Sequence, residues 1–143
     1  MRRLVPIILL LLLSGCTTAP SLSNSTGISA TVATLATEQN GVFYLLTIDL
    51  DNDIPENTYA VIQYQNLHNP KQTNAVDLGS LGNAKRINFK SLPSPAIDTA
   101  KPYLISLILY QDSELKQVTA SWYRQLEIEL PANIAHLLNI KLL

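Results

Sequence analysis

From Ile28 onward, large apolar residues recur at every second position, and this constrains the fold more than any other feature of the sequence. In an extended chain successive side chains point to opposite faces, so a period of two describes strands with one buried face. Val42, Tyr44, Leu46, Ile48 and Leu50 fall on one face, as do Tyr103, Ile105, Leu107 and Leu109, with Ala60, Ile62 and Tyr64 as a shorter stripe. Candidate strands run over residues 28–37, 42–50, 59–66, 75–78, 85–91, 103–110 and 116–130, the last with a bulge or break. Turn-forming residues separate them: Gln39-Asn40-Gly41, the turn from Asp51 to Asn57, Asn69-Pro70, the stretch from Gly79 to Asn83, the connection from Pro93 to Pro102, and Asp112-Ser113-Glu114. Turns spaced about every eight to twelve positions predict an all-β sandwich of about seven antiparallel strands. No helical stripe is visible before Pro131.

The first residues follow different rules. Arg2 and Arg3 precede an apolar run from Leu4 to Leu13 broken only by Pro6, and small residues Ser14 and Gly15 lead to Cys16. Such a run, about 15 Å long as a helix, is half the ~30 Å needed to span a bilayer core, and it reads as a cleavable helical export signal. Leu13-Ser14-Gly15-Cys16 resembles the lipobox of bacterial lipoproteins. That resemblance implies cleavage before Cys16, and diacylglycerol on its thiol with an N-acyl chain on its new amino group. No other cofactor is expected. In such lipoproteins an aspartate after the cysteine marks retention in the inner membrane; Thr17 stands here, which implies the periplasmic face of the outer membrane.

The expected organisation is a signal over residues 1–15, a lipidated tether over 16–27 and a single β-sandwich domain over 28–143. Thr17 to Gly27 is rich in Ser, Thr, Asn and Pro, and eleven such residues span about 18 Å on average and about 38 Å at most. The domain is therefore expected to work close to its bilayer. Losing Arg2 and Arg3 leaves eight basic against eleven acidic residues, and the formal charge moves from −1 to −3. No clustered basic face for nucleic acid is expected. Cys16 is the single cysteine, so acylation leaves no thiol for a disulfide, a metal or catalysis.

A local pattern sharpens the class. Leu92-Pro93, eight further residues, and Pro102-Tyr103 opening an alternating strand resemble the tyrosine corner of immunoglobulin-like and fibronectin type III sandwiches. The resemblance implies that the Tyr103 hydroxyl ties the preceding loop back to the sheet. An ordinary buried strand tyrosine is the other reading.

Chemistry-bearing motifs are sparse. His68 and His136 are the only histidines, neither with a second ligand at zinc spacing, and the chain has no Gly-x-Ser-x-Gly elbow, phosphate-binding glycine loop or His-Glu-x-x-His. A non-enzymatic protein is expected. The acidic residues Asp49, Asp51, Asp53 and Glu56 are a weak calcium candidate, but Ile54 and Ala60 stand where an EF-hand counted from Asp49 needs Gly and Glu. Adjacent Trp122 and Tyr123 must point to opposite faces of a strand. With Tyr64, Tyr110 and the amides Asn66, Asn69, Gln72 and Asn74, they are a candidate surface for a peptide or a glycan. After Pro131 two patterns compete, Ile134, Leu137, Leu138 and Lys141 for a helix and His136, Leu138, Ile140 and Leu142 for a strand, and either could cover an open sheet edge. In outline the chain looks like lipid-anchored accessory subunits of secretion systems and pilotins. It is therefore expected to bind an envelope protein partner, or alternatively a glycan or small ligand.

Overall fold

The computed structural model describes residues 27–99 and 101–143. The expected signal, Cys16, Thr17 and the tether before Gly27 lie outside the described residues. Two antiparallel sheets pack face to face. One holds β1 (Ile28–Glu38), β2 (Gly41–Leu50) and β5 (Arg86–Lys90) in the order β1-β2-β5. The other holds β3 (Tyr59–Gln65), β4 (Thr73–Ser80), β7 (Tyr103–Tyr110) and β8 (Val118–Leu126) in the order β4-β3-β7-β8. These are the seven strands of the expected immunoglobulin-like sandwich, split three and four.

The stripes legible in the sequence form the core. Val42, Tyr44, Leu46, Ile48 and Leu50 are buried on β2, and Tyr103, Ile105, Leu107 and Leu109 meet them from β7. Each such side chain contributes about 1.5–3 kcal/mol of hydrophobic stabilisation. Phe43 breaks the alternation, being buried on the outer face of its sheet. Its cover is local: the Lys90 ammonium lies 4.4 Å above its ring and is held there by Glu38 at 3.2 Å.

Tyr103 takes the tyrosine-corner role. Its side chain is fully buried at the start of β7, and its hydroxyl lies 2.7 Å from the carbonyl of Asp98 and 2.9 Å from that of Leu67. The same oxygen accepts the Asp98 N–H at 3.1 Å. One side chain thus pins the loop before β7 and the loop after β3.

Two short strands escaped the periodicity, β6 (Ala96–Ile97) and β9 (Lys141–Leu142), which pair in parallel. The C-terminal segment is both helix and strand: α1 (Ala132–Leu137), then a reversal, then β9. Asn139 makes the reversal at φ 56°, the left-handed conformation that asparagine tolerates better than most residues. Asn139 N–H donates to the His136 carbonyl and Ile140 N–H to the Ala135 carbonyl, the paired bonds of a Schellman motif. Ala135 and Ile140 are buried together, as that motif favours. The tail closes one end of the sandwich, with Asn40 N–H bonded to the Leu138 carbonyl and Lys141 N–H to that of Pro95. It pairs with β6, and neither α1 nor β9 packs on an edge strand of the two main sheets.

Candidate functional site

A cleft of about 480 Å³ opens on the flank where β4 and the β5–β6 connection face each other. Tyr44 and Tyr64 contribute its aromatic part; Asn66, His68, Asn74, Ser91 and Ser94 line it with polar groups; Leu92, Pro93 and Pro95 form a proline-rich wall. Backbone pairing builds that wall. Val42 and Ser94 exchange N–H to carbonyl bonds at 2.9 and 2.7 Å, and the Ser91 hydroxyl accepts the Tyr44 N–H at 2.8 Å. Gly41 makes the approach possible, since a Cβ there would run into the Pro93 ring. The prolines have no N–H to donate and fixed φ, so the wall holds its course without joining a sheet.

The aromatic part is a stack. The Tyr64 ring lies 5.1 Å from that of Tyr44 and 5.6 Å from that of Phe89, both tilted. The Tyr44 hydroxyl donates to the Gln65 carbonyl at 2.8 Å, fixing its ring. Burial pushes the Tyr44 phenol well above the usual tyrosine range, with further increments from Tyr103 and Tyr64. Burial also raises Tyr64, opposed by its side-chain hydrogen bond with Asn74. Both phenols therefore stay neutral at ordinary pH, with the Tyr44 proton committed to the Gln65 carbonyl. The lining includes no Asp, Glu, Lys or Arg, and it suits a ligand that presents uncharged polar groups and some apolar surface.

His68 and Ser94 meet on the wall, Nδ1 to Oγ at 3.3 Å. The Ser94 hydroxyl donates to the Ala96 carbonyl at 2.6 Å, so its proton is committed there and the oxygen is left to accept from His68. The two contacts tie His68 and Ala96 to Ser94 and hold the loop in place. Asn66 caps the turn, its Oδ1 accepting the N–H groups of His68 and Asn69.

The aromatic surface read from the sequence is not one surface. Trp122 is 2 % exposed, opposite Leu107 in the core, and Tyr123 stands opposite Ser106 on the outer face. Tyr110 pairs with Tyr59 near the far end of the sheet, and Tyr64 belongs to the cleft. Alternation along β7 and β8 forces the separation. Of the four aromatics only Tyr64 joins the cleft, with Asn66 and Asn74 from the amide set. The cleft residues missed in the sequence, Tyr44, His68, Ser91 and Ser94, sit in three distant segments; the pair Pro93 and Pro95, which cannot continue a strand, was the one local signal of a wall.

The acidic candidate is dispersed as well. Asp49 pairs with Arg86 at 2.6 Å on the outer face, Asp53 lines a separate hollow of about 200 Å³ with Ile54 and Thr119, and no metal-holding group of His, Cys, Asp or Glu exists among the described residues. No helix among the described residues is long and apolar enough to cross a membrane. Compared with known proteins, the chain matches no family model and no curated sequence.

Proposed function

We propose that this chain is a lipid-anchored, non-enzymatic binding module of the bacterial envelope, tethered through Cys16 and directed by Thr17 to the periplasmic face of the outer membrane, where it holds a protein partner of an assembly such as a secretion or pilus-type machine. The observation that carries the binding role is the cleft beside Leu92. Leu92 is 85 % exposed although its backbone belongs to a hydrogen-bonded wall, and it stands at the rim of an uncharged, aromatic-floored groove. Beside a concave, uncharged cleft, that side chain extends an apolar rim that a side chain of another protein could cover. Anchoring rests on the lipobox-like Leu13-Ser14-Gly15-Cys16 and the polar stretch that follows it.

A second reading, glycan or small-ligand binding, draws on the Tyr64 ring flanked by Asn66 and Asn74. Affinity capture from detergent-solubilised membranes separates the two. The first reading predicts a stoichiometric protein partner that is lost with Leu92→Asp. The second predicts no such partner and saturable oligosaccharide binding that is lost with Tyr64→Ala. Capture of a partner equally by wild type and Leu92→Asp would exclude the cleft rim as the contact.

A further inference from the structure

The sandwich has four edge strands, and three of them are protected against pairing with another chain. On β5 the protection is shortness and charge: five residues, with Arg86 and Lys90 at its ends. Strand β4 carries Asp77 and is broken by an extra residue between the pairs Ala60–Gly79 and Val61–Asp77. On β8 a similar extra residue interrupts pairing between Leu109–Ala120 and Tyr110–Val118, and Arg124, opposite Ile105, sits on the inward face. Short length, charge, bulges and inward charges are the devices by which sheets avoid edge-to-edge association.

Strand β1 has none of them along most of its length. It is the longest strand at eleven residues, its one irregularity lies at its start between Ile28 and Ala30, and no charged residue, Pro or Gly occurs before Glu38. Among the described residues it is hydrogen-bonded to β2 alone, and Val32 on its outer face is 65 % exposed.

We infer that β1 is a self-pairing edge, on which a second copy of this chain docks its own β1 antiparallel about a two-fold axis at Thr34. The sequence from Thr31 to Thr37, TVATLAT, is self-complementary in volume about that centre. Val32 falls opposite Ala36 on the outer face, Leu35 opposite Ala33 on the inner face, Thr31 opposite Thr37, and Thr34 opposite itself. Each large side chain meets a small one, and Glu38 meets Ala30, so no like charges oppose. The product is a continuous six-stranded sheet, β5-β2-β1 joined to its copy, in which the same patch serves both subunits. The inference is independent of the cleft, which lies on the opposite flank beside β4 and β5.

The test uses the full chain in its native membranes, treated with a mild thiol oxidant and resolved without reductant, with wild type reporting any background from Cys16. Facing residues of an antiparallel pair have Cα atoms about 4.5–5.5 Å apart, within disulfide reach. Thr34→Cys should therefore give a dimer of twice the chain mass. Val32→Cys places its two thiols four residues out of register, about 13 Å apart, and should give at least tenfold less. Combining Val32→Cys with Ala36→Cys should restore the dimer. Equal yields from Thr34→Cys and Val32→Cys, no dimer from Thr34→Cys or from the double variant, or an adduct of some other mass would each overturn the inference.

Discussion

Replacing Tyr103 by Phe removes one oxygen atom from the fully buried corner at the start of β7 and leaves the ring in place. No cavity of methyl size forms, so the loss is that of the hydrogen bonds. Leu67 is 3 % exposed, so its carbonyl, deprived of the hydroxyl at 2.9 Å, is left in a dry site at a cost of about 1–3 kcal/mol. Asp98 is half-buried, and water can take over part of its 2.7 Å contact, which limits that loss to about 1 kcal/mol. The expected destabilisation is about 2–4 kcal/mol, or roughly 8–15 °C in melting temperature for a domain of this size. Urea titration of the full chain in detergent measures it, with unchanged slope as the check that the unfolding reaction is the same. Tyr110→Phe is the control, a half-buried tyrosine outside the corner, and should change stability by less than about 0.5 kcal/mol. A Tyr103→Phe effect as small as the control would refute the role given to this hydroxyl.

Three further outcomes follow from the same reasoning. Cys16→Ser should abolish incorporation of labelled fatty acid, because a hydroxyl is a far poorer nucleophile than a thiol; label persisting on that variant would end the lipoprotein reading. Tyr44, Tyr64 and Tyr103 all have phenols raised above the ordinary value of 10.0, chiefly by burial, so the folded state holds their protons more tightly than the unfolded chain. Stability should be level up to about pH 9 and fall above about pH 10, with Tyr44→Phe reducing the alkaline loss, as pH-dependent melts would read out. Deleting residues 131–143 removes buried Ile140 and Ala135 and the cover over Ile97, and should cost about 3–5 kcal/mol in a urea titration; an unchanged midpoint would show that the tail contributes nothing to its own domain.

The two sheets were readable because their strands bury one face each: β7 runs from Tyr103 to Tyr110 as the alternation requires, and β2 differs from its expected bounds by one residue. The corner was readable as a resemblance, because Tyr103 follows a proline-bounded loop and opens an alternating strand, a pattern that an ordinary buried strand tyrosine also fits. Strands β6 and β9 were not, since two residues cannot display a period. The tail stayed ambiguous because its stop signal is Asn139 in place of the commoner glycine, and its two patterns share Leu138. Phe43 went unread because its cover, Lys90, comes from a strand 47 residues further along the chain. The cleft was legible only in Tyr64, Asn66 and Asn74. Its other half arrives through the pairing of Val42 with Ser94, a contact between distant segments that no local pattern encodes.

Site-specific photo-crosslinking in intact cells shows whether the rim of the cleft is where this chain meets a protein partner. A benzophenone amino acid replaces Leu92, and in a parallel strain Val118, which is 54 % exposed on the unrelated edge strand β8. Docking at the rim gives one discrete protein adduct from position 92, absent from position 118 and suppressed when Tyr64→Ala is added. No adduct from position 92, or the same adduct in equal yield from both positions, would contradict it.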